Sequence, residues 1–357
     1  MISRLFIFLF VYSVSEVALA QVTLQADGPD NTYELINSIL APGFDVVEVP
    51  DCNHTDFGRH IDEVMDTDLN KYVFRFHIHT SPDNDRCQKE DRQRNEIKTY
   101  DKSPDNLLGH QYESAVYKWK FKLDEAFQPS SSFTHLHQIK AVDGPEDSMP
   151  LITITARKGS PDQLELRYAD KLTQSTLKKT DLTPFKGIWV EATETIYYDE
   201  VGLGSYDLEL KSVSGGDLLF SYSDNAIRTW KTDASFLRPK WGIYRSLNDA
   251  GSLRDEQVLF ADISIEEIKP ILSLPNVTLA DKDLFVYPNP ANHQLRLSEG
   301  IVTNYERINM YDHIGKLVLS ESIVSDKISI SNLPTGMYYV QFMVNGLRGS
   351  SIKTLIE

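Results

Sequence analysis

The sequence is poor in several features that mark particular classes of protein. Only two cysteines occur in its 357 residues, and neither lies in a spacing typical of a metal site. After the N-terminal segment, no apolar run approaches the length of a membrane helix. Cations are also scarce, since 36 lysines and arginines face 52 acidic residues, which gives a net charge of −16. This charge argues against nucleic acid and anionic membranes as partners, and we expect a soluble monomer.

The first 20 residues have the pattern of an export signal. Arg4 supplies a positive charge, residues 5–14 form a short apolar run, and residues 18–20 (ALA) fit a small-residue cleavage site. We therefore expect a mature chain that starts near Gln21 and is secreted, either free outside the cell or attached to its surface. In an oxidising compartment, Cys52 and Cys87 are expected to form one disulfide.

Short alternating runs dominate from about residue 70 to residue 265. In residues 117–123 (YKWKFKL), the aromatic side chains share one face and the lysines share the other. Long amphipathic helical windows are scarce, and short helices are predicted only near residues 32–40 and 60–65. This pattern predicts an all-β fold over residues 21–268, in the form of a two-sheet sandwich or jelly roll.

A second unit follows a predicted linker at residues 269–283. Residues 284–357 have strand patterns separated by turn signals, which predicts a small β-sandwich. Its motifs, in order, are YPNP from residue 287, YDHIGK from residue 311 and LPTGMYYV from residue 333. This series resembles the C-terminal sorting domain of the type IX secretion system. The resemblance implies export by that machinery across the outer membrane, and a small carbohydrate-binding or adhesion module is the alternative.

Residues 92–98 (RQRNEIK) place an unusual row of charges on one strand face. By the period-two rule, Arg92, Arg94 and Glu96 point one way together with Lys98, and Asn95 points the other way. Arginine offers a planar fork that holds carboxylates. The alternative is a solvent-facing strand whose charges pair with a neighbouring strand.

Residues 135–140 (HLHQIK) form a second polar run. Gln138 and Lys140 are predicted to share one face, and His135 and His137 the opposite one. Two histidines at this spacing could suggest a metal site, but no carboxylate motif accompanies them. A structural or substrate-contact role is therefore favoured for them.

Residues 238–245 (RPKWGIYR) complete the set. Arg238, Lys240 and Tyr244 are predicted to share a face with Gly242, which would leave room for a ligand to approach closely. Arg245 ends the run. The alternative for each residue taken alone is structural: Tyr244 would pack in the fold and Lys240 would be solvated.

Together the three runs supply the residue types that β-elimination from a uronic acid requires. Removal of the C5 proton builds negative charge on the adjacent carboxylate, which cations and amides must neutralise. A base takes that proton and an acid protonates the O4 leaving group. Hydrolysis would instead need a pair of carboxylates in defined roles, and only Glu96 stands out near this site.

The same runs resemble the jelly-roll polysaccharide lyases related to alginate lyases. The matching motifs are residues 94–96 (RNE), 138–140 (QIK) and 240–244 (KWGIY), with Lys140 in place of the usual histidine. Residues 83–100, together with residues 134–138, most resemble the ulvan lyases of family twenty-eight. The resemblance implies endo-acting cleavage of rhamnose-3-sulfate–uronic acid linkages in ulvan, with Lys140 and Tyr244 as the catalytic pair.

Nine further residues are expected to bind this substrate: Arg92, Arg94, Asn95, Glu96, His137, Gln138, Arg238, Lys240 and Arg245. A lyase for alginate, glucuronan or heparin-like chains is the first alternative, and a non-catalytic carbohydrate-binding protein is the second. No cofactor is expected for catalysis. Residues 83–85 (DND) could hold a structural Ca²⁺, although a plain turn is favoured.

Overall fold

The computed structural model describes residues 21–200, 204–268, 284–312, 317–344 and 347–357. The predicted signal peptide and linker lie outside the described residues, so both stay predictions. Within the described ranges, no helix is long and apolar enough to cross a membrane.

Two antiparallel sheets pack face to face over residues 21–268, as a jelly roll. The first has eight strands, in the order β13-β12-β11-β6-β15-β4-β3 with β1 paired to β15. Its strands are β1 (Gln21–Leu24), β3 (Ile61–Asp66), β4 (Lys71–Ile78), β6 (Ser114–Leu123), β11 (Trp189–Tyr197), β12 (Gly204–Ser212), β13 (Leu218–Ile227) and β15 (Glu256–Ile268).

The second sheet has seven strands, in the order β10-β9-β8-β7-β14-β5-β2. Its strands are β2 (Val47–Glu48), β5 (Arg92–Lys98), β7 (Thr134–Val142), β8 (Ile152–Arg157), β9 (Gln163–Tyr168), β10 (Ser175–Asp181) and β14 (Phe236–Ser246). Single 3₁₀ turns occur at Asp105–Leu107, Thr183–Phe185 and Ala250–Ser252.

The core between the sheets follows the alternation in the sequence. Tyr117, Trp119 and Phe121 on β6 are at most 2% exposed, and the lysines between them point outward. Trp241 and Ile243 on β14 are fully buried opposite them. This confirms the predicted two-sheet sandwich, because the inner faces of the two sheets pack their apolar side chains into one core.

One of the two predicted helices is present. Helix α1 (Thr32–Leu40) buries Ile36 and Leu40 against the sandwich. The helix predicted at residues 60–65 is wrong, because β3 begins at Ile61 and pairs with β4 from Ile61 opposite Phe76. Pairing with a neighbouring strand outweighs the weak helical propensity of such a short segment.

The chain after residue 283 has a separate hydrophobic core. Two small sheets enclose it, in the orders β16-β17-β20 and β19-β18-β21-β22. The elements are β16 (Val286–Tyr287), β17 (Gln294–Leu297), α2 (Glu299–Asn304), β18 (Arg307–Tyr311), β19 (Leu317–Ser322), β20 (Lys327–Ser329), β21 (Gly336–Val344) and β22 (Leu347–Ile356).

The predicted disulfide is confirmed. Cys52 and Cys87 are bonded, with their Cα atoms 6.3 Å apart. The bond joins the loop that follows β2 to the loop that precedes β5. It therefore fixes two loops beside the strands that carry the charged row.

Gly242 marks an irregularity in β14. Its φ is +148°, a conformation that side chains disfavour, and an added Cβ would lie 2.1 Å from the carbonyl oxygen of Asn95. The close neighbour is therefore the backbone of β5, and not a ligand as the sequence suggested. The pairing of β14 with β7 shifts between Trp241 and Tyr244, which is a β-bulge.

Replacing Gly242 by alanine is expected to destabilise the fold by more than about 1 kcal/mol, because the new Cβ meets backbone and the φ is unfavourable. Urea denaturation followed by circular dichroism would measure the loss. Gly251→Ala is the control, since an added Cβ there meets open space. Equal stabilities of the two variants would contradict the close approach of β5.

Candidate active site

The outer face of the seven-stranded sheet carries a band of charged side chains across β2, β5, β14 and β7, which are neighbours in this order. The predicted alternation along β5 holds, since Gln93, Asn95 and Ile97 are fully buried on the inner face. We call the outward set the cationic face. Its members are Glu48, Arg92, Arg94, Glu96, Lys98, Gln138, Lys140, Arg238, Lys240 and Tyr244.

Glu96 lies at the centre of the cationic face and is fully buried. Lys240 Nζ lies 2.8 Å from Glu96 Oε2, Arg94 pairs with the same oxygen, and Gln138 Nε2 donates to Oε1. Burial alone would raise the pKa of Glu96, but Lys240 and Arg94 outweigh it and hold the pKa below its usual range. Glu96 is therefore a carboxylate whose oxygens are already occupied.

Glu48 is the second carboxylate of this centre and pairs with Glu96 across the strands. Lys98 Nζ lies 2.8 Å from Glu48 Oε1, Arg86 donates to the same atom at 2.7 Å, and Lys240 also binds Glu48. Burial raises the pKa of Glu48, but the surrounding cations lower it further, to well below its usual range. Neither carboxyl group holds the proton that a general acid for hydrolysis needs.

Tyr244 lies at one end of the cationic face. Arg92 Nη1 donates to the Tyr244 hydroxyl at 3.0 Å, and the Arg94 guanidinium carbon lies 3.7 Å from the ring centroid. Burial raises the pKa of Tyr244, and the positive charges of Arg94 and Arg92 offset only part of that effect. The phenol is therefore neutral at neutral pH and able to donate a proton.

His135 lies beside Tyr244 on the outer face of the sheet, whereas the sequence predicted that its side chain points to the inner face. The pairing of β7 shifts between His135 and His137 against both β8 and β14. His135 pairs with Tyr244, and the two ring centroids are 5.6 Å apart. Burial lowers the pKa of His135 to about 3, so its imidazole is neutral. Strict alternation assigned His135 to the interior, and nothing in the sequence marks the bulge.

His137 stays in the interior and does not reach the cationic face. Its Nε2 lies 2.8 Å from Glu194 Oε2, and both side chains are fully buried. Its ring stacks on Trp119 at 4.3 Å between centroids. The expected role of His137 in substrate binding is therefore replaced by a packing role between the sheets.

Asn95 and Arg245 also face inward. Asn95 Nδ2 donates to the carbonyl oxygens of His60 and His77, each at 2.8 Å. Arg245 Nε donates to Gln93 Oε1 at 2.7 Å. Both were expected to bind substrate, but each is fully buried and links strands within the sandwich.

Lys140 and Tyr244 lie at opposite ends of the cationic face. Lys140 pairs with Arg238, whereas Tyr244 pairs with His135, six positions further along β14. At about 3.3 Å per residue, roughly 20 Å of strand separates them. Lys140 Nζ also donates to the carbonyl of Asp147 at 2.6 Å. The two residues therefore do not converge on a single glycosidic bond, as the predicted catalytic pair would.

The side chains of residues 83–85 point to different partners. Asp83 faces a group of histidines. Asn84 Nδ2 donates to Glu90 Oε1 at 2.8 Å. Asp85 Oδ1 accepts from Arg94 Nε at 2.9 Å, which links this loop to the cationic face.

Comparison with known proteins gives one family match. Residues 285–357 match the family model of the secretion system C-terminal sorting domain, in agreement with the sequence motifs of that block. No curated protein matches the sequence.

Three of the solved structures to which this chain is similar are polysaccharide lyases. An endo-β-1,4-glucuronan lyase from the fungus Trichoderma reesei is 17% identical, with a TM-score of 0.44 over 58% of this chain and 86% of that chain. The PL-14 alginate lyase from Aplysia kurodai is 12% identical, with a TM-score of 0.45 over 68% and 97%. Alginate lyase PA1167 from Pseudomonas aeruginosa is 14% identical, with a TM-score of 0.41 over 62% and 97%.

The depressed pKa of His135 predicts a stability change with pH. The unfolded chain binds a proton at this position below about pH 6.5, whereas the folded chain does so only near pH 3. Stability from this group is therefore complete above pH 6.5 and falls as the pH drops toward 3. His135→Gln should show a shallower fall in the free energy of unfolding, measured by urea denaturation at several pH values. Above pH 6.5, the free energy of unfolding should change with pH equally in the wild-type protein and the variant. An equal change below pH 6.5 as well would contradict the buried, neutral imidazole.

Proposed function

We propose that this chain is an exported polysaccharide lyase that cleaves a uronate-containing chain by β-elimination. One observation carries the proposal, namely a neutral phenol, Tyr244, held between Arg92, Arg94 and the neutral imidazole of His135. This arrangement combines a proton donor, a proton acceptor and positive charge at one place. The solved structures with a similar fold include a glucuronan lyase and an alginate lyase.

The cationic face explains how an acidic protein can bind an anionic substrate. The net charge of −16 would repel a polyuronate, but Arg92, Arg238 and Lys140 bring positive charge to one face of one sheet. Among the described residues, the buried Nε of Arg238 has no hydrogen-bond partner. A guanidinium is the group that holds a carboxylate or a sulfate through paired hydrogen bonds.

The proposed reaction begins with substrate bound so that the C5 hydrogen faces His135. Arg92 neutralises the uronate carboxylate, which stabilises the negative charge that develops when the C5 proton leaves. The anionic carboxylate of the bound uronate raises the pKa of His135, so the imidazole accepts that proton, the electron pair forms the C4–C5 double bond, and the C4–O4 bond breaks. Tyr244 donates its proton to the leaving O4. The other arrangement, in which Tyr244 serves as both base and acid, leaves His135 as a neutral hydrogen-bond partner.

Hydrolysis fits the same site less well. A glycosidase of the usual kind needs one protonated carboxylic acid and one carboxylate beside the scissile bond. The carboxyl groups of the central pair, Glu48 and Glu96, both have lowered pKa values and are bound by cations. β-Elimination needs neither of them as a proton donor.

We assign ulvan as the substrate, with the uronate at the Tyr244 end. Lys140 and Arg238 pair at the other end of the cationic face, several sugar units away, where they would hold the sulfate of a more distant rhamnose of the same chain. The Lys140 motif, which resembles that of ulvan lyases, supports this assignment. Separate ends for the uronate and the sulfate suit a substrate that alternates the two groups.

Export by the type IX secretion system follows from the C-terminal domain. Residues 285–357 match a secretion system sorting domain. Their three motifs occur in the order typical of type IX sorting domains. The catalytic sandwich would therefore act outside the cell, where the Cys52–Cys87 disulfide is stable.

Tyr244→Phe is expected to lower kcat on ulvan by at least about 100-fold, because a general acid in the transition state is lost. The unsaturated uronate product absorbs ultraviolet light, so the absorbance rise measures the reaction. Tyr222→Phe is the control, since its hydroxyl binds Asp224 on the eight-stranded sheet. Full activity of Tyr244→Phe would remove Tyr244 from the mechanism. No absorbance rise with the wild-type protein on ulvan, alginate, glucuronan or heparin would instead favour a binding protein.

Lys140→Met is expected to raise KM for ulvan by roughly 10-fold, because one charge-assisted contact to sulfate is worth at least about 1.5 kcal/mol. The kcat should change little, since Lys140 lies far from Tyr244. Desulfated ulvan should show almost no effect of the substitution. Lys118→Met, on the exposed face of the other sheet, is the control. A large fall in kcat with unchanged KM would restore Lys140 as a catalytic residue.

A further inference from the structure

A group of histidines converges on one carboxylate at the end of the sandwich, outside the cationic face. His54 Nδ1 lies 2.8 Å from Asp83 Oδ1, and His60 Nε2 lies 3.2 Å from the same oxygen. His79 Nδ1 lies 3.0 Å from Oδ2. All four potential ligand atoms lie within 4.8 Å of one another. We call these four residues the histidine–aspartate cluster.

The cluster is enclosed but still open to solvent at one side. The side chains of Asp83 and His60 are fully buried, whereas those of His54 and His79 are 20% and 18% exposed. Phe57 contacts the rings of His60 and His79 at 4.7 and 4.3 Å between centroids. An ion could thus enter past the two partly exposed histidines and then be shielded from water.

We propose that the histidine–aspartate cluster is a structural zinc site. Three imidazole nitrogens and one carboxylate oxygen are a donor set that Zn²⁺ binds in four-coordinate, tetrahedral geometry. Ca²⁺ and Mg²⁺ prefer sites made only of oxygen ligands. Four protein ligands leave no open position for water or substrate, which is the pattern of a structural rather than a catalytic zinc.

A second layer of contacts orients the ligands as a metal site requires. His60 Nδ1 lies 2.7 Å from Asp51 Oδ1, which leaves Nε2 directed at the cluster. Asp51 Oδ2 in turn accepts from the Tyr33 hydroxyl at 2.9 Å. A carboxylate behind a histidine fixes the tautomer and the ring orientation of a zinc ligand.

The proposed ion would join segments that are distant in the sequence. His54 follows β2, His60 precedes β3 and His79 follows β4, while Asp83 lies in the loop before β5. The Cys52–Cys87 disulfide spans two of these loops. Zinc and disulfide together would fix the loop that also carries Asp85, which binds Arg94. The site would therefore support the arginine that lies over the Tyr244 ring.

The competing explanation is a hydrogen-bonded hub without metal, in which the imidazoles donate to Asp83. The two explanations differ in what a folded protein retains. A zinc site holds the ion through gel filtration and loses it to a strong chelator, with a fall in Tm that Zn²⁺ reverses. A hydrogen-bonded hub shows no response to chelator or to added ZnCl₂.

The test uses the purified wild-type protein, dialysed against chelator and then incubated with ZnCl₂ or CaCl₂. We expect one zinc ion per chain by elemental analysis after gel filtration, and a rise in Tm with ZnCl₂ but not with CaCl₂. Co²⁺ in place of zinc should give the visible absorption of a tetrahedral site. A folded wild-type protein that retains no zinc and shows no shift in Tm would overturn the proposal.

Three variants test whether the ion binds at this cluster, and only one of them removes a buried ligand. Asp83→Asn should abolish zinc retention. Asp51→Asn keeps all four ligands and should weaken zinc affinity by roughly 10–100-fold, because it removes only the contact behind His60. His77→Gln is the matched control, since His77 lies beside His79 but binds Asp62, and it should retain zinc fully. Unchanged affinity in Asp51→Asn and Asp83→Asn would place any bound zinc elsewhere.

Discussion

Two buried carboxylates, Glu48 and Glu96, hold the cationic face in place. Lys240 bridges both of them, while Lys98 and Arg94 approach from either side. Carboxylates without these partners would be costly to bury, and cations without them would repel one another. The ion network therefore orders several positive side chains on one sheet while the protein as a whole stays acidic.

The same network lies between the two ends of the cationic face, where Tyr244 and Lys140 are found. Arg94 is held by Glu96 and Asp85, so its guanidinium is fixed over the ring of Tyr244. At the other end, Lys140 and Arg238 form a cross-strand pair. A polysaccharide chain laid along β14 would meet a proton-transfer site and a separate anion site, several sugar units apart.

The loop before β5 links this face to the end of the sandwich. Asp85 points to Arg94, and Asp83, two residues earlier, points to the histidine–aspartate cluster. The disulfide at Cys87 ties the loop to the segment after β2. Stability at this end and geometry at the proposed active site thus depend on the same few residues, because one short loop carries contacts to both.

The sequence by itself determined which strands alternate and which faces they present. Residues 117–123 and 92–98 show this, because side-chain direction along a regular strand follows from period two alone. Local sequence patterns and motifs also predicted helix α1, the disulfide and the C-terminal sorting domain. Only the tertiary structure decided that His135 joins Tyr244, since a bulge depends on how strands pair. It likewise set the distance from Lys140 to Tyr244 and brought histidines from separate loops to Asp83, because strand register and loop closure are properties of the packed sheets and not of any single segment.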